Sequence, residues 1–326
     1  MSNFEFLYVN VCLSRFQVRL VSDESLPSDF YLGSTLRGAI GWQMQRLVCP
    51  FDGRKKCDAC LVRDDCPYHE LYCKQSALPG LADSPRGYVY YVSPDSGSNF
   101  VNLEITLFGS CSRFAPVLFE ALLRASKSGL TRRRIAVGIE KIEQIIPDGK
   151  KRIYNWKQLS SQIMDALPLV EWLGEINGKI EAVFSIKTPL RLRKNGRYLN
   201  YLDMDFLLQN ILRRMESLGC VFGDGESIGK ENWERIKEEM LPDQIKQCES
   251  PEEMNGTGLS YHARIRWDDY KRYSNTQRKK VPMGGIVGDV RVKGADKNIF
   301  PLLRAVEFLH VGKGAAMGLG RVEMLN

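Results

Sequence analysis

The chain has 326 residues, 44% apolar and 26% charged, a balance that fits one or two globular domains and excludes a disordered or fibrous protein. It has no run of about eighteen apolar residues, and "MSNFEFLYVNVCLSRFQVRLVS" lacks the basic lead and continuous apolar core of a signal peptide. A cytoplasmic protein is therefore expected, with its nine cysteines serving as thiols or metal ligands. The net charge of +7 is unevenly placed: from Tyr261 onward there are 13 Lys/Arg against 6 Asp/Glu, leaving 33 of each in the first 260 residues. An excess confined to one fifth of the chain points to a docked polyanion.

Hydrophobic periodicity gives the elements in chain order. A strand near Leu7–Val21 leads to a helix over Ser34–Val48, capped by Ser34, with Leu36, Ile40, Met44 and Leu47 on one face. On its polar stripe lie Arg37, Gly41 and Gln45, and a glycine inside a helix signals a close approach. After a cysteine-rich loop come strands near Gly87–Val92 and Leu103–Gly109, a helix over Ala115–Ser128 and a strand over Arg134–Ile145. A polar connection around Pro147–Ser161 precedes a repeat of the same order. That repeat has a strand at Lys179–Ile186, a helix at Asp203–Leu218 and strands at Leu259–Trp267 and Gly285–Val292. A helix at Ile299–Leu309 and a strand at Arg321–Leu325 complete it. Each half reads β-α-β-β-α-β. The fold class expected is α+β, two tandem ferredoxin-like (RRM-like) domains over 1–170 and 171–326, with a Cys-rich insertion in the first.

That insertion, "CPFDGRKKCDACLVRDDC", spaces Cys49, Cys57, Cys60 and Cys66 as C-x7-C-x2-C-x5-C. Four thiolates this close can close a tetrahedral site, so a structural zinc is expected, with an iron–sulfur cluster as the alternative. A loop with no apolar core of its own gains a staple from such an ion.

Two segments carry the basic excess. In "RIRWDDYKRYSNTQRKKVPMGG", Arg264 and Arg266 alternate with apolar residues, and Lys271, Arg272, Lys279 and Lys280 interleave with Tyr273, Ser274 and Gln277. Lys and Arg neutralise phosphates, Tyr stacks on bases, and Gln reads base edges. The second segment, "LHVGKGAAMGLGRVE", holds Gly312, Gly314, Gly318 and Gly320 around Lys313. It fits neither nucleotide fingerprint: Met317 stands where a glycine is wanted, and Lys313 precedes a glycine instead of Ser or Thr. A loop that lets bare N–H groups meet a nucleic-acid backbone is the expectation.

The second half resembles the CRISPR-associated repeat-processing endoribonucleases (Cas-six type) of the RAMP superfamily. It shares their Trp267-Asp268, the Arg272-Tyr273-Ser274 followed by Gln277, the Gly284-Gly285-x-x-Gly288, and the terminal Leu309-His310-x-Gly312-Lys313-Gly314 with Gly318-x-Gly320. "GSTLRGAIG" and the cysteines are similar to a Cys-bearing branch of that family. The resemblance implies a protein that grips CRISPR repeat RNA and cuts it without a metal. The 2′-hydroxyl attacks the adjacent phosphate, leaving a 2′,3′-cyclic phosphate and a 5′-hydroxyl. A non-catalytic RAMP subunit holding guide RNA among effector-complex subunits is the alternative it implies.

Such chemistry needs a base, an acid and a cation at the phosphorane. Many relatives place a histidine after the helix motif, where this chain has Trp42, which transfers no proton. The candidates become His310 and His69, with Tyr31 as a further acid or base and Arg37 as the cation beside it.

Overall fold

The computed structural model describes residues 7–8, 10–26, 32–51, 53, 56–75, 84–93, 96–130, 133–147, 149, 151–154, 165–174, 181–225, 227–254, 258–274, 279–296 and 298–325. The first half contains β1 (Cys12–Val21), α1 (Leu32–Val48), β2 (Tyr88–Val92), β3 (Phe100–Phe108), α2 (Ala115–Lys127), β4 (Gly138–Ile145) and β5 (Lys151–Tyr154). Short β6 (Leu167–Pro168) and α3 (Val170–Leu173) link it to the second half. There follow β7 (Glu181–Leu190), a small β8 (Arg193–Lys194) and β9 (Arg197–Tyr198) ribbon, α4 (Met204–Phe222) and α5 (Lys230–Met240). Next come β10 (Ile245–Gln247), β11 (Leu259–Asp268), the hairpin β12 (Lys271–Ser274) and β13 (Lys279–Pro282), β14 (Gly285–Lys293), α6 (Ile299–Leu309) and β15 (Val322–Met324).

The fold class is α+β, built on antiparallel sheets. The first sheet runs β2-β3-β1-β4-β5 with β6 on the start of β1; the second runs β10-β11-β14-β7-β15. Leaving out the added edge strands, both halves show one order: the fourth strand beside the first, then the third, then the second. Side chains explain the pairing. On β1, Phe16, Val18 and Leu20 are buried while Arg15, Gln17 and Arg19 alternate with them on the other face. On α1, Leu36, Ile40 and Met44 are fully buried, and each contributes about 1.5–3 kcal/mol.

Several expected boundaries shift for physical reasons. Leu7 and Tyr8 are helical, so β1 starts at Cys12. Ser34 lies inside α1, which begins at Leu32, so it is not the cap; Asp203, by contrast, caps α4 by accepting from the Phe206 N–H at 3.0 Å. Helix α5 and strands β12 and β13 were not among the expected elements; α5 is charged or polar all round except for Trp233, Ile236 and Met240. No helix of the described residues is long and apolar enough to cross a membrane.

The two halves share one apolar cluster. At their seam a Cβ on Gly109 would sit 1.8 Å from the Phe222 carbonyl oxygen, and Gly109 has φ +47°. Arg15 pairs with Glu104 at 3.0 Å and lies over the rings of Trp172 and Phe308, at 5.4 and 5.1 Å. Arg321 reaches the same Glu104 carboxylate from β15's side at 3.9 Å.

Candidate nucleic-acid interface and active site

The glycine turn forms part of this seam. Gly312, Gly314, Gly318 and Gly320 all have φ between +67° and +94°, where a side chain is strained. What approaches them is protein. A Cβ on Gly312 would meet the Arg191 carbonyl at 2.7 Å, on Gly318 the Tyr90 carbonyl at 2.7 Å, and on Gly320 the Val311 carbonyl at 1.8 Å. Gly33, at the start of α1, is caught between Met317 and Tyr90 carbonyls at 2.6 and 2.8 Å. Several amides of the turn are used internally: Lys313 N–H donates to Arg191, Gly318 N–H to Ala315 and Gly320 N–H to Pro189. The expectation of a row of bare amides facing a phosphate is corrected at these positions. What the turn offers outward is the exposed Lys313 side chain.

His310 precedes that turn at φ +51° and is only 2% exposed. Its Nδ1 lies 3.1 Å from the Leu319 carbonyl and Tyr91 meets its ring edge-on at 5.6 Å. Burial, and then the Arg321, Arg214 and Arg15 guanidiniums, hold its pKa well below the usual histidine range, against the pull of the Leu319 carbonyl. In this conformation a phosphate cannot reach it.

His69 has a different setting. It opens a single wide turn over His69–Cys73, with its side chain 12% exposed and Nε2 3.7 Å from the Asp58 carboxylate. Its Nδ1 is buried with no hydrogen-bond partner among the described residues. The turn is fastened to β2 by a ladder of rings: Tyr68 on Tyr72 at 5.4 Å, Tyr72 on Tyr88 at 5.0 Å, Tyr88 on Tyr90 at 4.5 Å. Gly41 exists for this ladder, since a Cβ there would lie 2.6 Å from the Tyr72 ring. Arg37 donates from Nε to the Tyr88 hydroxyl at 2.9 Å, and the Tyr88 phenol pushes the guanidinium pKa further up. Arg37 is thus a fixed cation, not a proton shuttle. Burial raises the tyrosines as well, Tyr68 to about 12, so none is a base at neutral pH. Tyr31 lies outside the described residues.

The cysteine loop does not assemble the expected four-thiolate centre. Among the described residues no three His, Cys, Asp or Glu side chains are grouped to hold a metal ion. Cys49 Sγ accepts from the Gly53 N–H at 3.4 Å, while Cys57 lies beside Cys73, a residue the spacing did not single out. Burial and then that partner push the Cys73 thiol up to about 12. Cys60 and Cys66 are half-buried beside short turns. These residues, as placed, do not fit the zinc or iron–sulfur site that C-x7-C-x2-C-x5-C suggests.

In the basic segment of the second half, the described cations stay open to solvent. Arg264 and Arg266 are exposed on β11, opposite Asp289 and Val287 of β14. Beyond Tyr261, β11 has no strand on its second side among the described residues, because β10 pairs only at Leu259–Tyr261. Lys279 and Lys280 are exposed on β13, paired with Ser274 and Tyr273 of β12, and Arg272 stands across from Val281. Gln277 lies outside the described residues. His262 is spent on the sheet, its Nδ1 3.2 Å from the Cys248 carbonyl.

Comparison with known proteins adds the family. Residues 10–166 match an N-terminal domain family, AF_1859_N, and residues 184–322 match the CRISPR-associated endoribonuclease Cas6 family. A protein of Archaeoglobus fulgidus described as uncharacterized is 22% identical over 317 residues, 94% of this chain and 96% of that one. Among solved structures, a Cas6 product complex superposes with a TM-score of 0.54 at 14% identity, over 96% of this chain and 99% of the other. Thermus thermophilus Cas6 gives 0.50 at 13% identity, over 97% and 99%. A partial Cas6-RT-Cas1–Cas2 complex gives 0.52 at 12% identity, over 96% of this chain and 46% of its own. The fold is therefore that of these proteins along nearly the whole chain, and residues 184–322 carry the sequence match to the CRISPR-associated endoribonuclease Cas6 family.

Proposed function

We propose that this protein binds CRISPR repeat RNA across two ferredoxin-like halves, divided near residue 170, and cleaves it by 2′-hydroxyl attack to leave a 2′,3′-cyclic phosphate and a 5′-hydroxyl. The carrying observation is the seam: the glycine turn of the Cas6-matched half is seated on the first turn of α1, against Gly33 and Tyr90. Exposed Lys313 and the fixed cation Arg37 thus belong to neighbouring elements from the two halves. In this reading the RNA strand reaches the seam from Arg264, Arg266, Arg272, Lys279 and Lys280, which neutralise its phosphates. Arg37 and Lys313 stabilise charge building on the scissile phosphate. His69, in the turn whose Tyr72 ring packs on Gly41 of α1, and oriented toward the Asp58 carboxylate, moves the proton. His310 holds the turn in place and takes no proton.

A second reading, an RNA-holding RAMP subunit without cleavage, is favoured by Trp42, 53% exposed with the Arg46 guanidinium 4.6 Å from its ring centroid where relatives place a histidine. Incubating the full chain with candidate repeat RNA in EDTA separates the two. Cyclic-phosphate ends that disappear in His69→Ala, with a rate loss of about a hundredfold or more, support cleavage through His69. Tight binding without any cut selects the second reading.

A further inference from the structure

At the end of the first sheet remote from Gly109 and the seam lies a cavity of about 660 Å³. The last residues of β1, the start of β3, the start of β4 and the end of α2 line it, and it opens broadly to solvent. Its volume falls within the range of about 300–1,000 Å³ usual for small-molecule sites. The chemistry of its lining is mixed in an ordered way. Phe100 supplies a half-buried aromatic wall, and the Arg19 guanidinium lies 4.0 Å from that ring's centroid, held by Glu140 at 2.8 Å. Asn99 and Asp23 bring an exposed amide and an exposed carboxylate, and Lys127 stands exposed at the end of α2.

The next turn of chain adds charge in a fixed place. Leu130 and Ile135 close it with two backbone hydrogen bonds of 2.8 and 2.9 Å, and Ala136 and Val137, which follow, line the cavity. Arg134 takes φ +52°, packed against Gly129, where a Cβ would lie 2.5 Å from the Arg134 carbonyl. Arg133 and Arg134 are both exposed there. A purely apolar ligand would make no use of the exposed Lys127, and a small carboxylate would meet Asp23.

We propose that this cavity receives one nucleotide of a bound RNA strand, apart from the seam where the cut is proposed. Its base extends the Phe100–Arg19 stack, its edge is read by the amide of Asn99 and the carboxylate of Asp23, and its phosphate lies toward Lys127. The inference rests on the RNA-binding reading above.

The test uses the full chain with single-stranded RNA carrying 4-thiouridine at successive positions, photo-crosslinked and mapped to peptides. One position is expected to crosslink to the peptide bearing Asn99 and Phe100. Phe100→Leu and Lys127→Glu should each remove that crosslink and weaken RNA binding about five- to tenfold. Lys127 is on the surface, so its variant stays informative if Phe100→Leu proves unstable in a melting control. An unchanged affinity and no such crosslink, in protein that still binds and cuts RNA, would overturn this proposal alone. Uridine monophosphate that occupies the cavity and abolishes the crosslink while RNA affinity stays constant would assign the site to free nucleotides and also overturn it. Wild-type protein that binds no RNA would bring down the functional reading with it.

Discussion

The glycine turn at 312–320 and the β11 strand with its hairpin carry the same kind of sequence signal, small or basic residues arranged as though for a phosphate backbone. Their surroundings are opposite. Carbonyl oxygens of Arg191, Val311 and Tyr90 crowd the glycines, and several of their amides are already bonded. Arg264, Arg266, Lys279 and Lys280 project from a sheet edge and a hairpin into solvent. A glycine requirement shows that something comes close; only the fold shows whether it is a ligand or the protein itself. The first region builds the seam, and the second is free to meet RNA.

Four measurements press on this contrast. The largest effect is expected at Gly320→Ala, which adds a Cβ 1.8 Å from the Val311 carbonyl at φ +67°. A loss of about 3 kcal/mol or more in denaturant unfolding is expected, because strain and overpacking act together. A near-neutral result would return the glycines to a ligand-binding role. Next, Lys279→Ala with Lys280→Ala should flatten the log–log salt dependence of RNA binding by about 0.7 for each phosphate no longer neutralised, and leave unfolding unchanged. If affinity and slope both persist, RNA does not dock on the hairpin.

The third measurement is pH. His310 is held neutral in the fold, so the unfolded chain binds a proton that the native one refuses as pH falls below the ordinary histidine value. Its stability contribution is therefore intact above about pH 6.5 and is lost on acidification, with a slope of at most about 1.4 kcal/mol per pH unit. His310→Gln should flatten the dependence of Tm on pH between 7 and 5; an unaltered profile would mean the imidazole is not closed off. The smallest effect belongs to Gly38, in the interior of α1, with nothing within 4 Å of an added Cβ. Gly38→Ala should stabilise by roughly 0.5–1 kcal/mol. Gly41→Ala, one turn on and pressed against Tyr72, should destabilise instead.

Much of the architecture was legible because it rests on periodicity. The inward faces Leu36, Ile40, Met44 and Leu302, Leu303, Val306 are buried, and both halves show the expected strand-and-helix order. Other features depend on neighbours distant in sequence, which no local pattern encodes. Cys57 meets Cys73 outside the spacing motif, and Tyr72 explains Gly41 from thirty-one positions away. His310 looked reactive beside a lysine and glycines, but the Leu319 carbonyl and the Tyr91 ring close around it. The tyrosine ladder had a local signal, three tyrosines in "YVYY" and two more at Tyr68 and Tyr72, although spacing alone cannot say that the rings stack.

The seating of Gly33 also constrains the order of synthesis. Its two carbonyl neighbours come from Tyr90, in its own half, and from Met317, more than two hundred residues later. Translation at about 5–20 residues per second delivers the first half well ahead of that residue, so the nascent chain spends on the order of ten seconds or more with the start of α1 uncovered. A ribosome-stalled chain ending before residue 310 should therefore expose this patch to a holdase chaperone, and release of the following turn should bury it.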